Sequence, residues 1–222
     1  MKKFFLILSV FIMVVSVVSC KKEKSSDNES DIEYTKITME DLKSINGDDL
    51  EIEYKSDGVI KYIGGEFAYF PVTDKDKAYE AFMGISELIG IENTEDFVYD
   101  ENASYENPNG LNHYYFSQYY EGIKIHGAFV RISVNPQQTD CIHLDSTYEP
   151  NLDIDTNPKI SEKEAIKRAE EKYGAEVKEN PELVIRKKKL AWDMDLLGSE
   201  TERIIMRADN GEIIYEDKEI ID

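Results

Sequence analysis

The chain has 222 residues, of which 46 are acidic and 26 basic, and its formal net charge is −20. So acidic a chain is repelled by phosphate backbones, and this argues against a nucleic-acid partner. Hydrophobic residues make up 41% of the chain and aromatic residues 11%, which is enough for one large or two small domains with a substantial core.

The first twenty residues have the pattern of an export signal. Lys2 and Lys3 precede an apolar run over residues 4–18 that is too short to span a bilayer comfortably. The run ends in Val-Val-Ser-Cys, which resembles a bacterial lipobox. We therefore expect removal of residues 1–19 and lipid attachment at Cys20, which would hold the protein at the extracytoplasmic face of the cell membrane. An ordinary signal peptide cleaved nearby is the alternative.

A polar tether and a small α+β region follow. Residues 20–44 are predicted to be a flexible tether, because residues 21–31 contain no apolar side chain. Residues 50–54, 59–63 and 67–70 then read as short strands separated by turns. The next segment is predicted to be a helix that begins at Thr73 or Asp74 and ends at Gly90, with its buried stripe at Ala78, Phe82, Ile85 and Ile89.

Residues 114–134 are predicted to form a long hairpin. Glu121 and Gly122 separate two β-rich runs and suit a tight two-residue turn. This turn would place Tyr120 opposite Ile123, Gln118 opposite Ile125 and Phe116 opposite Gly127. After Phe129 the apolar alternation slips by one residue, which indicates a bulge near Gly127. One face of this bent hairpin needs a helix to cover it.

The last third predicts a second helix and a meander. Ser161 and Glu164 have the spacing of a capping box, and the helix that they begin is expected to end at Gly174. Four strands follow, at residues 183–185, 190–197, 203–208 and 212–215. Asp209, Asn210 and Gly211 form a strong hairpin signal between the last two strands. The polar segment 151–159, which follows Pro150 and contains Pro158, is predicted to be a linker.

The central hairpin resembles the FTP module, the first half of the propeptide of fungalysin and thermolysin-type metalloproteases. Its hallmark is a hairpin with the pattern aromatic-x-Gln-x-aromatic-x-Gly-aliphatic-x-aliphatic-x-Gly. Those positions are occupied by Phe116, Gln118, Tyr120, Gly122, Ile123, Ile125 and Gly127, and His113 stands where the family often has histidine. Lys124 replaces a frequent proline and Tyr115 a frequent arginine.

The second half resembles the PepSY module that follows FTP in those propeptides. Residues 160–165 match its helix start, and residues 190–194 and 208–214 match two of its strands. We therefore expect an α+β protein of two small cystatin-like units, each a helix packed on an antiparallel sheet. The FTP-like unit spans residues 45–150 and the PepSY-like unit residues 160–222.

Histidine and acidic residues are the candidate metal ligands of this chain. The sequence contains no His-Glu-x-x-His motif, which is the zinc site of the peptidase that normally follows such a propeptide. His126 and His143 would lie roughly 20 Å apart along the predicted strands, so they are interpreted as structural. Asn151, Asp153, Asp155, Asn157 and Glu162 follow a calcium-loop spacing, but Thr156 occupies the glycine position. An acidic linker is favoured over a calcium site, and no cofactor is predicted.

Cys141 and one basic run are candidates for a reactive or a binding site. Cys141 lies on a predicted strand without a basic neighbour in sequence, so it is interpreted as a packing residue rather than a nucleophile. Residues 186–189 read Arg-Lys-Lys-Lys and form the one basic run in this acidic chain. The run is either a docking patch or a solvated strand end, and the second interpretation is favoured.

The resemblance implies the roles that propeptides have. It predicts a non-catalytic protein that acts in trans on an exported metalloprotease as inhibitor, folding chaperone or adaptor. The candidate partner contact is then the motif hairpin, through Phe116, Gln118, Tyr120, Gly122, Ile125 and Gly127. The alternative is an envelope binding or structural lipoprotein that has no protease partner.

Overall fold

The computed structural model describes residues 34–178 and 180–218, so the predicted signal peptide and Cys20 lie outside the described residues. In this part the α-helices are α1 (Met39–Asn46), α2 (Lys75–Ile85) and α3 (Glu162–Tyr173). The strands are β1 (Glu51–Tyr54), β2 (Ile60–Gly64), β3 (Phe97–Tyr99), β4 (Tyr105–Glu106), β5 (Asn112–Tyr120), β6 (Ile123–Asn135), β7 (Asp140–Ser146), β8 (Glu176–Val177), β9 (Glu182–Arg186), β10 (Lys189–Leu197), β11 (Thr201–Arg207) and β12 (Ile213–Lys218).

All twelve strands belong to one sheet, whose main path runs β1-β2-β7-β6-β9-β10-β11-β12. β5 pairs with the other edge of β6, and β3 and β4 pair with β5. The ladders are antiparallel except between β6 and β9, where Lys124 pairs with Val184 and Ile125 with Ile185. The predicted α+β class is confirmed, and the sheet is continuous through both predicted halves.

Strand β6 contributes to the two larger of the three hydrophobic clusters among the described residues, which form the two main cores. Its residues Val130, Ile132 and Val134 pack in the first core with Phe82 of α2. Ile125 and Ala128 pack in the second core, which α3 covers with small residues such as Ala165. Ala128 and Val130 are two residues apart on a strand and therefore point to the same side. Both cores thus lie on one face of β6.

The central hairpin has the predicted turn but a different register. Glu121 and Gly122 have φ values of 49° and 79°, and Tyr120 pairs with Ile123. Beyond Tyr119 the register shifts, so that Phe116 lies opposite Val130. The predicted pairing of Phe116 with Gly127 is therefore wrong, because the bulge adds three residues to β6 rather than one. Gly127, at φ 82°, lies in this bulge as expected.

Helix α2 begins at the predicted cap. The side chain of Asp74 accepts hydrogen bonds from the backbone N–H groups of Asp76 and Lys77 at 3.0 Å each. The α-helix ends at Ile85, and a series of turns leads on to Gly90. The predicted buried stripe is confirmed, since Ala78, Phe82, Ile85 and Ile89 all belong to the first core.

Helix α3 has only one half of the predicted capping box. The Ser161 hydroxyl accepts a hydrogen bond from the backbone N–H of Glu164 at 3.3 Å. The Glu164 carboxylate accepts instead from the Arg168 guanidinium at 2.8 Å. Gly174 ends the helix at φ 62°, as predicted.

Two local predictions near the N-terminal side are wrong. The predicted tether extends to residue 44, whereas residues 39–46 form α1, which is capped by Thr38. Leu42 and the preceding Ile37 are buried in the first core, and this burial offsets the cost of ordering the segment. Residues 67–70 form no regular strand, although Phe67 is fully buried. Within the described residues, no helix combines the length and hydropathy required to cross a bilayer.

Candidate functional site: the cleft beside the central hairpin

Most of the motif side chains in the predicted contact hairpin are buried or partly buried. Phe116, Gln118 and Ile125 are 1%, 6% and 0% exposed. Tyr120 is partly buried and packs on the second core, while Gly122 and Gly127 are exposed and have positive φ. Buried atoms are not available to a partner. Contact with another molecule at this motif would therefore fall on the exposed turn and bulge.

Gln118 joins strand β5 to the chain that follows β7. Its side-chain N–H donates to the carbonyl of Glu149 at 3.0 Å, and its side-chain oxygen accepts from the Glu149 backbone N–H at 2.8 Å. An amide side chain has the same donor and acceptor as a peptide group, so it replaces a strand partner here. Glu149 follows β7, and this pair therefore holds the point from which the chain leaves the first core.

The segment predicted as a linker is held at several points. Leu152 and Ile154 pack against the second core. Thr156 donates to the carboxylate of Glu121 at 2.7 Å, and Lys188 donates to the Pro150 carbonyl at 3.3 Å. The tips of two hairpins, β5–β6 and β9–β10, thus lie against this segment.

A cleft of about 480 Å³ lies beside the contact between Gln118 and Glu149. Its lining includes Phe97 and Tyr148 from the first core and Tyr120 and Leu152 around the second. Its four carboxylates are those of Asp57, Glu92, Asp96 and Glu149. No lysine, arginine or histidine is among the lining residues that the structure describes. A negative, tyrosine-rich cleft favours cationic groups, such as lysine or arginine side chains of another polypeptide.

Lys55 and Glu149 lie at the edge of this cleft. The Lys55 ammonium is 4.4 Å from the centre of the Tyr148 ring and donates to the Tyr148 carbonyl at 3.1 Å. Burial lowers the pKa of Lys55, and the nearby Asp57 and Glu149 charges oppose that effect. Oε2 of Glu149 is buried and makes no hydrogen bond. The cleft therefore has, in its wall, a carboxylate oxygen that accepts no hydrogen bond within the described residues.

The sheet face away from α2 is polar and aromatic. Arg131 donates to the Asp145 carboxylate at 3.0 and 2.5 Å and to the Tyr115 hydroxyl at 3.2 Å. The Tyr115 ring lies 5.1 Å from the ring of Phe129. This face presents an aromatic surface on which the charged groups are already paired.

Asp100 anchors the loop after β3 to this face. Its Oδ2 accepts from Lys124 Nζ at 2.6 Å and from the Ser117 hydroxyl at 2.8 Å. Burial alone would raise the pKa of Asp100, but these two hydrogen bonds, the Lys124 charge and a hydrogen bond from the Ala103 backbone N–H together hold that pKa below its usual value. Lys124, which stands at the family's frequent proline position, therefore has a structural partner.

The three histidines have separate polar partners. His113 contacts the Ser133 hydroxyl at 2.8 Å and the Asn107 amide nitrogen at 3.0 Å. His143 contacts the Tyr62 hydroxyl at 2.9 Å, and the ring of His126 lies 2.9 Å from the guanidinium of Arg186. Burial is the main cause that lowers the pKa of His113 and of His126. In residues 34–178 and 180–218, no three His, Cys, Asp or Glu side chains are grouped to hold a metal ion.

The other candidates from the sequence are placed as follows. Asp155 accepts hydrogen bonds from the backbone and side-chain nitrogens of Asn157, and Glu162 is the first residue of α3.

Cys141 is buried on β7, and burial raises the pKa of its thiol to about 12. Such a thiol is almost never ionised at neutral pH and is a poor nucleophile. Packing is the role that its surroundings give it.

The cleft and the Glu149 contact were not predicted from the sequence. Gln118 is part of the hairpin motif, but no neighbouring residue in the sequence indicates which backbone group its side chain binds. Glu149 is 31 residues further along the chain. The excess of acidic residues was the only signal for the charge of the cleft.

The comparisons with known proteins place the chain as follows. Residues 102–139, which span β4 to the turn after β6, match the model of the Fungalysin/Thermolysin Propeptide Motif, FTP. The predicted FTP resemblance is thereby confirmed for this segment. No curated protein matches the sequence. One similar solved structure is the C-terminal domain of YpeB from Bacillus megaterium, with 17% identity, a TM-score of 0.41, and coverage of 76% of this chain and 75% of that one.

Proposed function

We propose, from the FTP motif at residues 102–139, that the protein is a lipid-anchored, propeptide-like regulator outside the cytoplasm. It acts in trans on a secreted thermolysin-like metalloprotease, as inhibitor, folding chaperone or adaptor. It binds its partner and performs no reaction itself. The lipid on Cys20 holds it at the membrane surface.

The observation that carries this proposal is the position of the matched segment. It contains the hairpin that joins both cores, so the motif lies at the centre of the fold rather than in an appendage. The acidic cleft beside it supplies a surface suited to basic segments of a polypeptide. Negative charge across an interface steers a positively charged partner and sets its orientation.

A second candidate is an envelope binding or structural lipoprotein without a protease partner. The burial of Phe116, Gln118 and Ile125 favours it. In this chain those motif residues have packing and hydrogen-bonding roles that explain their presence without any partner. A scaffold reused for another binding task would retain them for the same reason.

The direct test is a titration of the purified chain against thermolysin-type proteases. The proposal predicts slower peptide hydrolysis, or a higher yield of active protease on refolding, as the chain is added. A variant with Asp57, Glu92 and Asp96 changed to the matching amides removes three charges of the cleft and should weaken either effect. A matched variant at Glu40, Asp48 and Asp49, which are exposed and do not line the cleft, serves as control. If the chain neither inhibits the protease nor assists its refolding at any ratio, the protease role is discarded and the second candidate remains.

The anchor is tested separately with Cys20→Ser. Loss of the acylated cysteine should move the protein from the membrane fraction to the medium, because the acyl chains supply the membrane affinity. Unchanged membrane fractionation of the variant would refute lipidation at Cys20.

A further inference from the structure

The turn between β9 and β10 adopts a backbone conformation that its residues disfavour. Lys187 and Lys188 form a two-residue turn, and their φ values are 49° and 57°. Side chains with a Cβ atom are strained in this region, which is why Asn-Gly is the usual choice for such turns. The equivalent turn of the central hairpin has Gly122 at its second position. The β9–β10 turn has no glycine at either central position, so its backbone strain is not relieved in this way.

The same turn concentrates positive charge in an acidic protein. Residues 186–189 are four consecutive cations in a chain of net charge −20. Within the described ranges, none of the four forms an ion pair with a carboxylate. The Arg186 guanidinium lies 4.2 Å from the centre of the Tyr215 ring, and Lys188 reaches only the Pro150 carbonyl. The side chains of Lys187, Lys188 and Lys189 are exposed.

Neighbouring acids only partly balance this charge. Asp153, Asp155 and Asp209 line a small cleft together with Lys188 and Lys189. Lys187 is not among the residues of that cleft. The outermost part of the turn therefore keeps its positive charge.

We propose that residues 186–189 contact anionic phospholipid headgroups and hold the anchored protein in one orientation on its membrane. This inference rests on the lipid anchor proposed above. Strained backbone conformations cluster at functional sites. An Asn-Gly turn would be less strained here, and the property that sets this turn apart from such a turn is its positive charge.

The membrane is favoured over an acidic polypeptide because the chain is tethered to it. Tyr34 is fourteen positions after Cys20, and at roughly 3.5 Å per residue this length of chain reaches at most about 50 Å. A tethered group meets the surface at a high effective concentration, so even weak attraction orients it. Charges act over only about 8 Å at physiological ionic strength. The basic turn can thus be attracted while the acidic remainder stays away from the surface.

The test is a lysine footprint of the full lipidated chain on vesicles. One preparation contains phosphatidylcholine alone, and the other an equimolar mixture of phosphatidylcholine and phosphatidylglycerol. Acetylation by acetic anhydride, a neutral reagent, is followed at each lysine by mass spectrometry. We expect Lys187 and Lys189 to react about fivefold more slowly on the anionic vesicles, and high salt to remove the difference. Lys163 and Lys167 on α3 should react at equal rates on both.

The variant Lys187→Asn with Lys188→Gly removes two charges from the turn without impairing folding. It relieves the turn, so its Tm should rise by about 2–4 °C, while the protection of Lys189 on anionic vesicles is lost. Lys163→Gln with Lys167→Gln removes the same number of charges from α3 and should leave that protection unchanged.

Three outcomes would overturn the inference. If the chain floats with both vesicles and its lysines are acetylated at equal rates on both, the headgroup contact is refuted while the lipid anchor is supported. Slowing by soluble polyglutamate, without slowing by the anionic vesicles, would identify an acidic polypeptide as the target instead. A chain that floats with neither vesicle would refute the anchor and the tethered contact together.

Discussion

The side chain of Gln118 and the backbone of Glu149 are joined by two hydrogen bonds of 3.0 and 2.8 Å. This pair lies where the ladder between β5 and β6 is interrupted by the bulge. It therefore supplies, through a side chain, a cross-link that the main chain cannot make at that point. The pair holds the chain after β7 against β5, at the wall of the cleft.

Loss of this cross-link should destabilise the protein. Gln118→Ala leaves the N–H and C=O of Glu149 without their partners, and each such loss costs about 1–3 kcal/mol. We expect the free energy of unfolding in urea to fall by about 2–3 kcal/mol. The exposed Gln137→Ala should change it by less than about 0.5 kcal/mol. Equal effects of the two variants would show that the cross-link contributes nothing.

Ser133 and Ser146, two of the buried serines of the sheet, should respond in opposite ways to removal of the hydroxyl. Ser146 Oγ is buried without a hydrogen-bond partner, so Ser146→Ala should be neutral or should stabilise the protein by up to about 1 kcal/mol. Ser133 is bonded to His113 at 2.8 Å, so Ser133→Ala should destabilise it by about 1–2 kcal/mol. Urea denaturation measures both. A loss of stability in Ser146→Ala as large as that in Ser133→Ala would contradict this account.

Stability should fall on mild acidification because of His113. The Asn107 amide N–H donates to Nε2, so the ring is neutral and its Nδ1–H donates to Ser133. Burial first, and then the Arg131 charge, lower the pKa of His113 in the folded state. Below the unfolded pKa of about 6.5 the unfolded state binds more protons. The contribution is therefore complete above about pH 6.5 and is lost as the pH falls through the folded-state pKa.

The measurement for His113 is urea denaturation between about pH 7.5 and about pH 5.5, a window above the titration of most carboxylates. The wild type should lose stability across it, and His113→Gln should lose less because its amide does not titrate. His126, whose pKa is also lowered, should account for a remaining part of the slope. An identical slope in wild type and His113→Gln would remove His113 from the explanation.

Cys141 should be inert in the folded protein. With a pKa of about 12, its thiol is almost wholly protonated at pH 8, and burial also blocks access. In the Cys20→Ser chain, where it is the only cysteine, reaction with a thiol reagent should be limited by unfolding. The labelling rate should rise with urea in step with the loss of structure. Rapid labelling in native buffer would show that the β7 environment opens without global unfolding.

Sequence reasoning located the elements whose signals are local. Asp74 and Ser161 cap helices because a side-chain oxygen needs only its own backbone neighbours. The turn at Glu121 and Gly122 follows from the freedom of one glycine. The slip in apolar alternation near Gly127 correctly indicated a bulge. Each of these signals involves residues a few positions apart.

The wrong or missing predictions involve residues far apart in sequence. The size of the bulge depends on which residues of β6 pack under α2 and which under α3, and alternation alone does not determine that. Helix α1 is ordered because Leu42 enters a core built by distant strands. The turn at Lys187 and Lys188 lacks the usual Gly or Asn, so its tightness is imposed by the flanking strands.

The amino-acid sequence by itself determined the helix caps, the hairpin turns and the acidic charge, since these depend on periodicity and on the chemistry of neighbouring residues. Only the tertiary structure decided that Gln118 reaches Glu149, that β6 and β9 pair in parallel, and that four carboxylates line one cleft. Those contacts join segments whose meeting depends on the packing of both cores together. No short stretch of the chain contains that information.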